Sequence, residues 1–162
     1  MGMPDFHLLS NCLPRPASPE RVRLGMEQWT EALAQQEDGA LKAAAEALAA
    51  EPDGCRLLEA VFGNSPYLTR CMPRDPAFAL DLLRCGADAV HAETLASLVT
   101  LRRAPPEGVD IGAALRIAKR HSALAVGLAD LAGVWPLERV TRALSDFADA
   151  AIGVAAATVL RT

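Results

Sequence analysis

Residues 135–160 read WPLERVTRALSDFADAAIGVAAATVL. Trp135-Pro136 offers a helix start, since proline's fixed φ suits a first turn. Leu137, Val140, Leu144, Phe147, Ala151, Val154 and Thr158 then follow in alternating steps of three and four. That period belongs to an α-helical stripe, whereas a strand alternates at every second residue. The stripe predicts a seam fit for packing on another helix. Glu138, Arg142 and Asp146 stand four apart on the other side, where surface pairs contribute about 0.2–0.5 kcal/mol each.

The same signals recur toward the N-terminus. Asp110 is placed to cap a long helix running to about Gly133, with Ile117, His121, Leu124, Leu128 and Leu131 on one stripe. Ala104 to Val109, with Pro105-Pro106 and Gly108, is the clearest interior break. Residues 87–103 read as helix and end in Arg102-Arg103, where cations suit the C-terminal dipole. Asp75-Pro76 and Ser65-Pro66 each combine a cap with a first-turn proline. Gly63 is expected to close the preceding helix with a left-handed turn; that helix carries Leu57, Leu58, Val61 and Phe62, with Asp53 as its cap. Ala40 to Ala50 forms a short helix stopped by Pro52. Ser18-Pro19 starts the first helix, whose stripe is Val22, Met26, Trp29 and Leu33 and whose expected end is Gly39. Residues 1–18 show little periodicity and are read as a loosely ordered N-terminal arm before a helical domain over 19–162. The expectation is an all-α chain: a single domain of about six to eight helices, the last two long and packed together.

Composition agrees. Ala and Leu, the best helix formers, supply 55 of 162 residues, while aromatics are 4%; an all-β fold is excluded. At 51% hydrophobic residues the chain is too apolar for disorder. A net charge of -4 argues against nucleic-acid binding through counterion release. Arg outnumbers Lys 14 to 2, which reads as genomic codon bias as much as function. Cys12, Cys55, Cys71 and Cys85 form no CxxC pair and read as reduced thiols. No signal peptide or membrane span is legible, so the expected location is the cytoplasm.

Catalytic constellations are nearly absent. The chain contains no GxxxxGK[ST], GxGxxG or HExxH, and Gly63 to Tyr67 lacks the second glycine of a nucleophile elbow. Two-metal nucleotidyl transfer needs converging carboxylates, usually supplied by a DxD, and none occurs. Asp146 and Asp149, one turn apart, read as a solvated face. His121 lies on an apolar stripe, which suits a hydrogen-bonded histidine at the core edge better than a ligand. His7 and His91 have no partner at ligand spacing, and Trp29 and Trp135 read as packing residues. Asp130 stands among Ala129, Leu131 and Ala132 near a helix C-terminus, so burial there would require a partner. Arg139 or Arg142 is expected, tying the last two helices together. Phe62 to Leu68 reads as a tight helix–helix corner, from which Asn64 and Arg70 are the residues placed to meet a partner. No residue is assigned a catalytic, cofactor-binding or metal-ligating role.

Two blocks of sequence carry a family resemblance. LLEAVFGNSPYLTR at 57–70, continued by RDPAF at 74–78, resembles the N-terminal region of the bifunctional glutamine synthetase adenylyltransferase/adenylyl-removing enzymes. RIAKRH at 116–121, ALA at 123–125, LADLAGVWPL at 128–137 and VTRALSDFADA at 140–150 are similar to the same family in the same order. The resemblance spans about residues 54–161. It implies a long parent enzyme with two polymerase-β-like nucleotidyltransferase domains that attach AMP to glutamine synthetase and remove it. Mg and ATP are its implied cofactors; none is expected in this chain. Glutamine synthetase, a PII signal protein and the remaining nucleotidyltransferase domain are its implied partners, with no nucleic acid and no membrane. The family's metal-binding aspartates have no counterpart here, so no catalytic residue carries over and the isolated chain is expected to be inactive. The alternative reading is a non-catalytic α-helical interaction module that binds glutamine synthetase or a regulator. A piece of a larger enzyme should leave part of an apolar face uncovered, most simply on the last helix.

Overall fold

Side-chain caps start most of the helices. Ser18, Asp38, Ser65, Asp75 and Asp110 each accept a hydrogen bond from a backbone N–H of the following first turn, a device that stabilises by about 0.5–2 kcal/mol. Proline occupies the first turn of the helices at Pro19, Pro52, Pro66 and Pro76, where its missing N–H costs nothing.

The computed structural model describes residues 13–161. Among them lie α1 (Pro19–Ala34), α2 (Gly39–Ala50), α3 (Pro52–Asn64), α4 (Pro66–Cys71), a 3-10 turn (Met72–Arg74), α5 (Pro76–Cys85), α6 (Ala87–Arg103), α7 (Ile111–Leu131) and α8 (Leu137–Val159). The described residues contain no strand, and the architecture is all-α. No described helix is long and apolar enough to cross a membrane.

Three local expectations are corrected. Gly39 opens α2 instead of ending α1, because α1 stops at Ala34 and Asp38 takes the cap position. Asp53 does not cap α3: Glu51 stands at the cap without a side-chain bond, Pro52 follows, and Asp53 sits in the first turn. Gly63 makes no left-handed turn, since the positive-φ glycines are Gly86, Gly108 and Gly133. Its role is space. A Cβ there would lie 2.6 Å from the Cβ of Pro16, so only glycine lets the incoming chain cross α3. Gly25 does the same for α1 over α3, where a Cβ would meet Phe62 at 2.5 Å.

Two packed regions result. The larger core joins α1–α5 to the C-terminal half of α7, around Trp29, Leu58, Phe62, Leu82, Leu83, Leu124 and Leu128. A smaller one, Leu98, Ala118 and Val154 with Phe147 against them, lies among α6, α7 and α8. The two longest helices, α7 and α8, pack together, and α6 packs on both.

The predicted α8 seam is split. Val140 and Val154 face inward with Ala143, whereas Leu137 and Leu144 are exposed. Ala143 is buried, Ala150 and Gly153 are partly buried, and the Arg102 side chain passes over Gly153. With this side turned to α6 and α7, the leucines lie on the uncovered side of the helix.

Of the expected arm, residues 1–12, His7 and Cys12 included, lie outside the described residues. Residues 13–18 are held against the domain: Leu13 packs on the core, and the Asn64 side chain bonds the backbone of Arg15 and Ala17.

Candidate functional site

Asp75 does two jobs at the start of α5. One carboxylate oxygen accepts from the Phe78 N–H at 3.2 Å, capping the helix. The other lies 2.8 Å from Nε2 of His121 and 3.8 Å from the Arg120 guanidinium, both on α7. A carboxylate only accepts, so Nε2 of His121 carries the proton. The Phe78 ring stacks on the imidazole with centroids 3.6 Å apart and planes 5° from parallel. His121 is thus a hydrogen-bonded core-edge histidine that fixes α7 to α5.

Beside it opens a groove of about 650 Å³ between α5, α6 and α7, lined among others by Phe78, Arg84, Cys85, Glu93, Ile117 and His121. Ile117 is exposed here: the α7 stripe is buried at Leu124 and Leu128, but its N-terminal half opens onto the groove. A carboxylate-held imidazole is one half of an acid–base pair. Among the described residues, however, His121 is engaged by the Asp75 carboxylate and the Phe78 ring, which makes the pair a fastening between helices.

A second cluster fastens the N-terminus of α6 to the α7–α8 corner. Asp88 accepts from Nε1 of Trp135 at 3.2 Å and from Arg139 at 3.0 Å. The Arg139 guanidinium lies over the Trp135 ring, 4.5 Å from its centroid, in cation–π contact. His91 meets the same ring edge-on at 5.7 Å. His91 is 2% exposed, and neither ring nitrogen has a hydrogen-bond partner. Burial lowers its pKa from the ordinary 6.5, and Arg139 lowers it further, against the opposing pull of Asp146 and Asp88.

This cluster overturns the expectation for Asp130. Asp130 is solvent-exposed on the outer side of the last turn of α7, and Arg139 is turned to Asp88 instead. The tie exists, with a different carboxylate. An exposed carboxylate keeps its water and needs no cation.

The remaining residues singled out by sequence separate in the same way. Asn64 bonds the Ala60 carbonyl at 2.8 Å as well as the chain at Arg15 and Ala17, so it holds the corner together. Arg70 is exposed beside Tyr67. Trp29 and Trp135 are buried. Cys55, Cys71 and Cys85 are free thiols, and burial beside the Glu59 carboxylate pushes the Cys55 thiol up. Asp146 and Asp149 are exposed on α8, and no group of three His, Cys, Asp or Glu among the described residues could hold a metal ion. These carboxylates do not fit an Mg-nucleotide centre, which needs more ligands than two on one helix face.

Residues 55–162, from the first turn of α3 through α8, match the model of the family described as glutamate-ammonia ligase adenylyltransferase. The chain belongs to that family. It is 36% identical over 135 residues to a bifunctional glutamine synthetase adenylyltransferase/adenylyl-removing enzyme of Bradyrhizobium diazoefficiens, covering 83% of this chain and 13% of that protein. An enzyme of the same description from Rhodopseudomonas palustris is 33% identical over 148 residues, covering 91% of this chain and 15% of the relative. A third, from Caulobacter vibrioides, is 36% identical over 107 residues, 64% of this chain and 10% of that one. The chain therefore spans about 13–15% of the length of the first two family members. No solved structure matches.

Proposed function

We propose that this chain is the leading helical segment of a cytoplasmic glutamine synthetase adenylyltransferase/adenylyl-removing enzyme, and that its role is mechanical. It supports the AMP-removing nucleotidyltransferase domain and contributes to the docking of glutamine synthetase. One observation carries this reading: the family match runs unbroken over residues 55–162, while the chain accounts for 13% and 15% of two relatives. The chain contains no DxD and no phosphate-cradling glycine loop. The AMP chemistry, with its Mg and ATP, and the response to a PII signal protein are accordingly assigned to the remainder of such an enzyme.

The test is direct. The purified chain is incubated with glutamine synthetase, Mg and labelled ATP, and separately with adenylylated glutamine synthetase. Neither incorporation nor release of AMP above background is expected. Mg-dependent AMP transfer by the chain alone would overturn the reading.

A further inference from the structure

The outer face of α8 carries apolar side chains that the fold leaves uncovered. Leu137, Leu144, Ile152 and Val159 are 69%, 50%, 66% and 73% exposed. With the exposed Thr141, Ala148 and Ala155 they recur in steps of four, three and four. A repeat of this kind averages about 3.67 residues per turn, close to the helix's own period, so the stripe runs nearly straight. It extends for about 30 Å.

The stripe is held firmly in place. Val140, Ala143 and Val154 bury the inner face of α8, and Arg161, just beyond the helix, donates to the final carbonyls of α6 at Arg102 and Arg103. The polar side next to the stripe carries Glu138, Asp146 and Asp149 against Arg142 and the Arg102 side chain that crosses Gly153, all of these charges exposed. This border is net negative. It disfavours a second copy, which would bring like charge to the seam, and an anionic lipid surface for the same reason.

We propose that the stripe is a docking surface for one amphipathic helix with an apolar seam and a basic border, supplied by the remaining polypeptide of the longer family proteins. The source of that helix rests on the function proposed above. The share of the relatives that this chain covers, 13% and 15%, leaves most of each polypeptide available to provide it. Helix-on-helix docking of this kind reads anchors three, four and seven residues apart on one face, and the stripe presents Leu137 with Leu144 and Ile152 with Val159 at that spacing.

The experiment uses the full 162-residue chain and overlapping peptides of about 25 residues, enough for seven helical turns. The peptides tile the Bradyrhizobium diazoefficiens relative outside its 135 aligned residues. The chain is expected to sediment as a monomer and to capture at least one tile with helical apolar periodicity and an Arg/Lys border. The double substitution Leu144→Glu, Ile152→Glu should weaken that capture by at least about tenfold, as loss of central anchors does. Its melting temperature should not change, because both side chains are exposed. Val99→Glu, an exposed apolar site on α6, should leave capture intact. A dimer that the double substitution dissociates would overturn the proposal. So would association with anionic phosphatidylserine vesicles through the stripe, or the lack of any tile whose binding depends on it. The AMP assay decides the functional reading and involves no tile, so the two fail separately: an inactive chain without a stripe-dependent tile defeats the docking surface alone.

Discussion

His91 is a titratable residue shut away from water, 2% exposed with neither ring nitrogen bonded. Its ring is packed edge-on against Trp135, with Asp88, Arg139 and Asp146 close enough to act on its charge. Burial favours the neutral imidazole, so the folded pKa lies below the unfolded value near 6.5. Stability contributed by neutral His91 is therefore complete above about pH 6.5 and is lost as pH falls through the lowered folded value. Melting the wild type and His91→Leu at pH 7.5 and 5.5 checks this. The wild type should lose more stability on acidification, by up to about 1.4 kcal/mol per pH unit. At pH 7.5 the leucine variant should be at least as stable, because it removes two buried nitrogens without partners. Parallel pH dependence in the two proteins would contradict the account. At this scale the sequence was a partial guide. The helical stripe located His121 at the core edge, but its partner Asp75 lies 46 residues away, and no local spacing announces such a bond. Asp130 shows the limit more sharply: apolar neighbours along the chain suggested burial, yet on a helix consecutive residues point in different directions.

Helix ends were the most legible elements, because a cap and a proline act within one turn. Ser18-Pro19, Ser65-Pro66 and Asp75-Pro76 each start a helix as read, and Asp110 caps α7. Faces were harder. The α8 periodicity was correct as helix, but which part of a broad apolar arc is buried depends on where α6 and α7 pack, and that is the side of Val140, Ala143 and Val154. Gly63 was misread for a related reason: the need for glycine lies in Pro16, which precedes α1 far back in the chain, and not in the turn. The tie between α6 and the α7–α8 corner yields a prediction at this scale. Asp88→Ala strips Nε1 of buried Trp135 and Arg139 of their acceptor, and should cost about 1–2 kcal/mol. Asp130→Ala, on an exposed site, should stay within about 0.5 kcal/mol of wild type. Urea unfolding of both variants reads the difference, and a larger loss for Asp130→Ala would reverse the assignment.

Taken whole, the described residues form a bundle whose polar clusters join helices and whose last helix carries an uncovered apolar stripe. The resemblance of residues 57–78 and 116–150 placed the chain in its family from sequence, and the comparisons give the same family over residues 55–162. What sequence did not supply was the surface through which such a segment acts, since exposure on α8 emerges only once its inner face is chosen. Exchange into a whole enzyme tests that role. The 135 aligned residues of the Bradyrhizobium diazoefficiens relative are replaced by their counterparts from this chain, and AMP removal from adenylylated glutamine synthetase is measured with and without Leu144→Glu, Ile152→Glu. The account predicts an active chimera whose activity falls at least about tenfold with the double substitution, as expected when a helix loses its docking anchors. An inactive chimera, or one equally active with both glutamates in place, would contradict it.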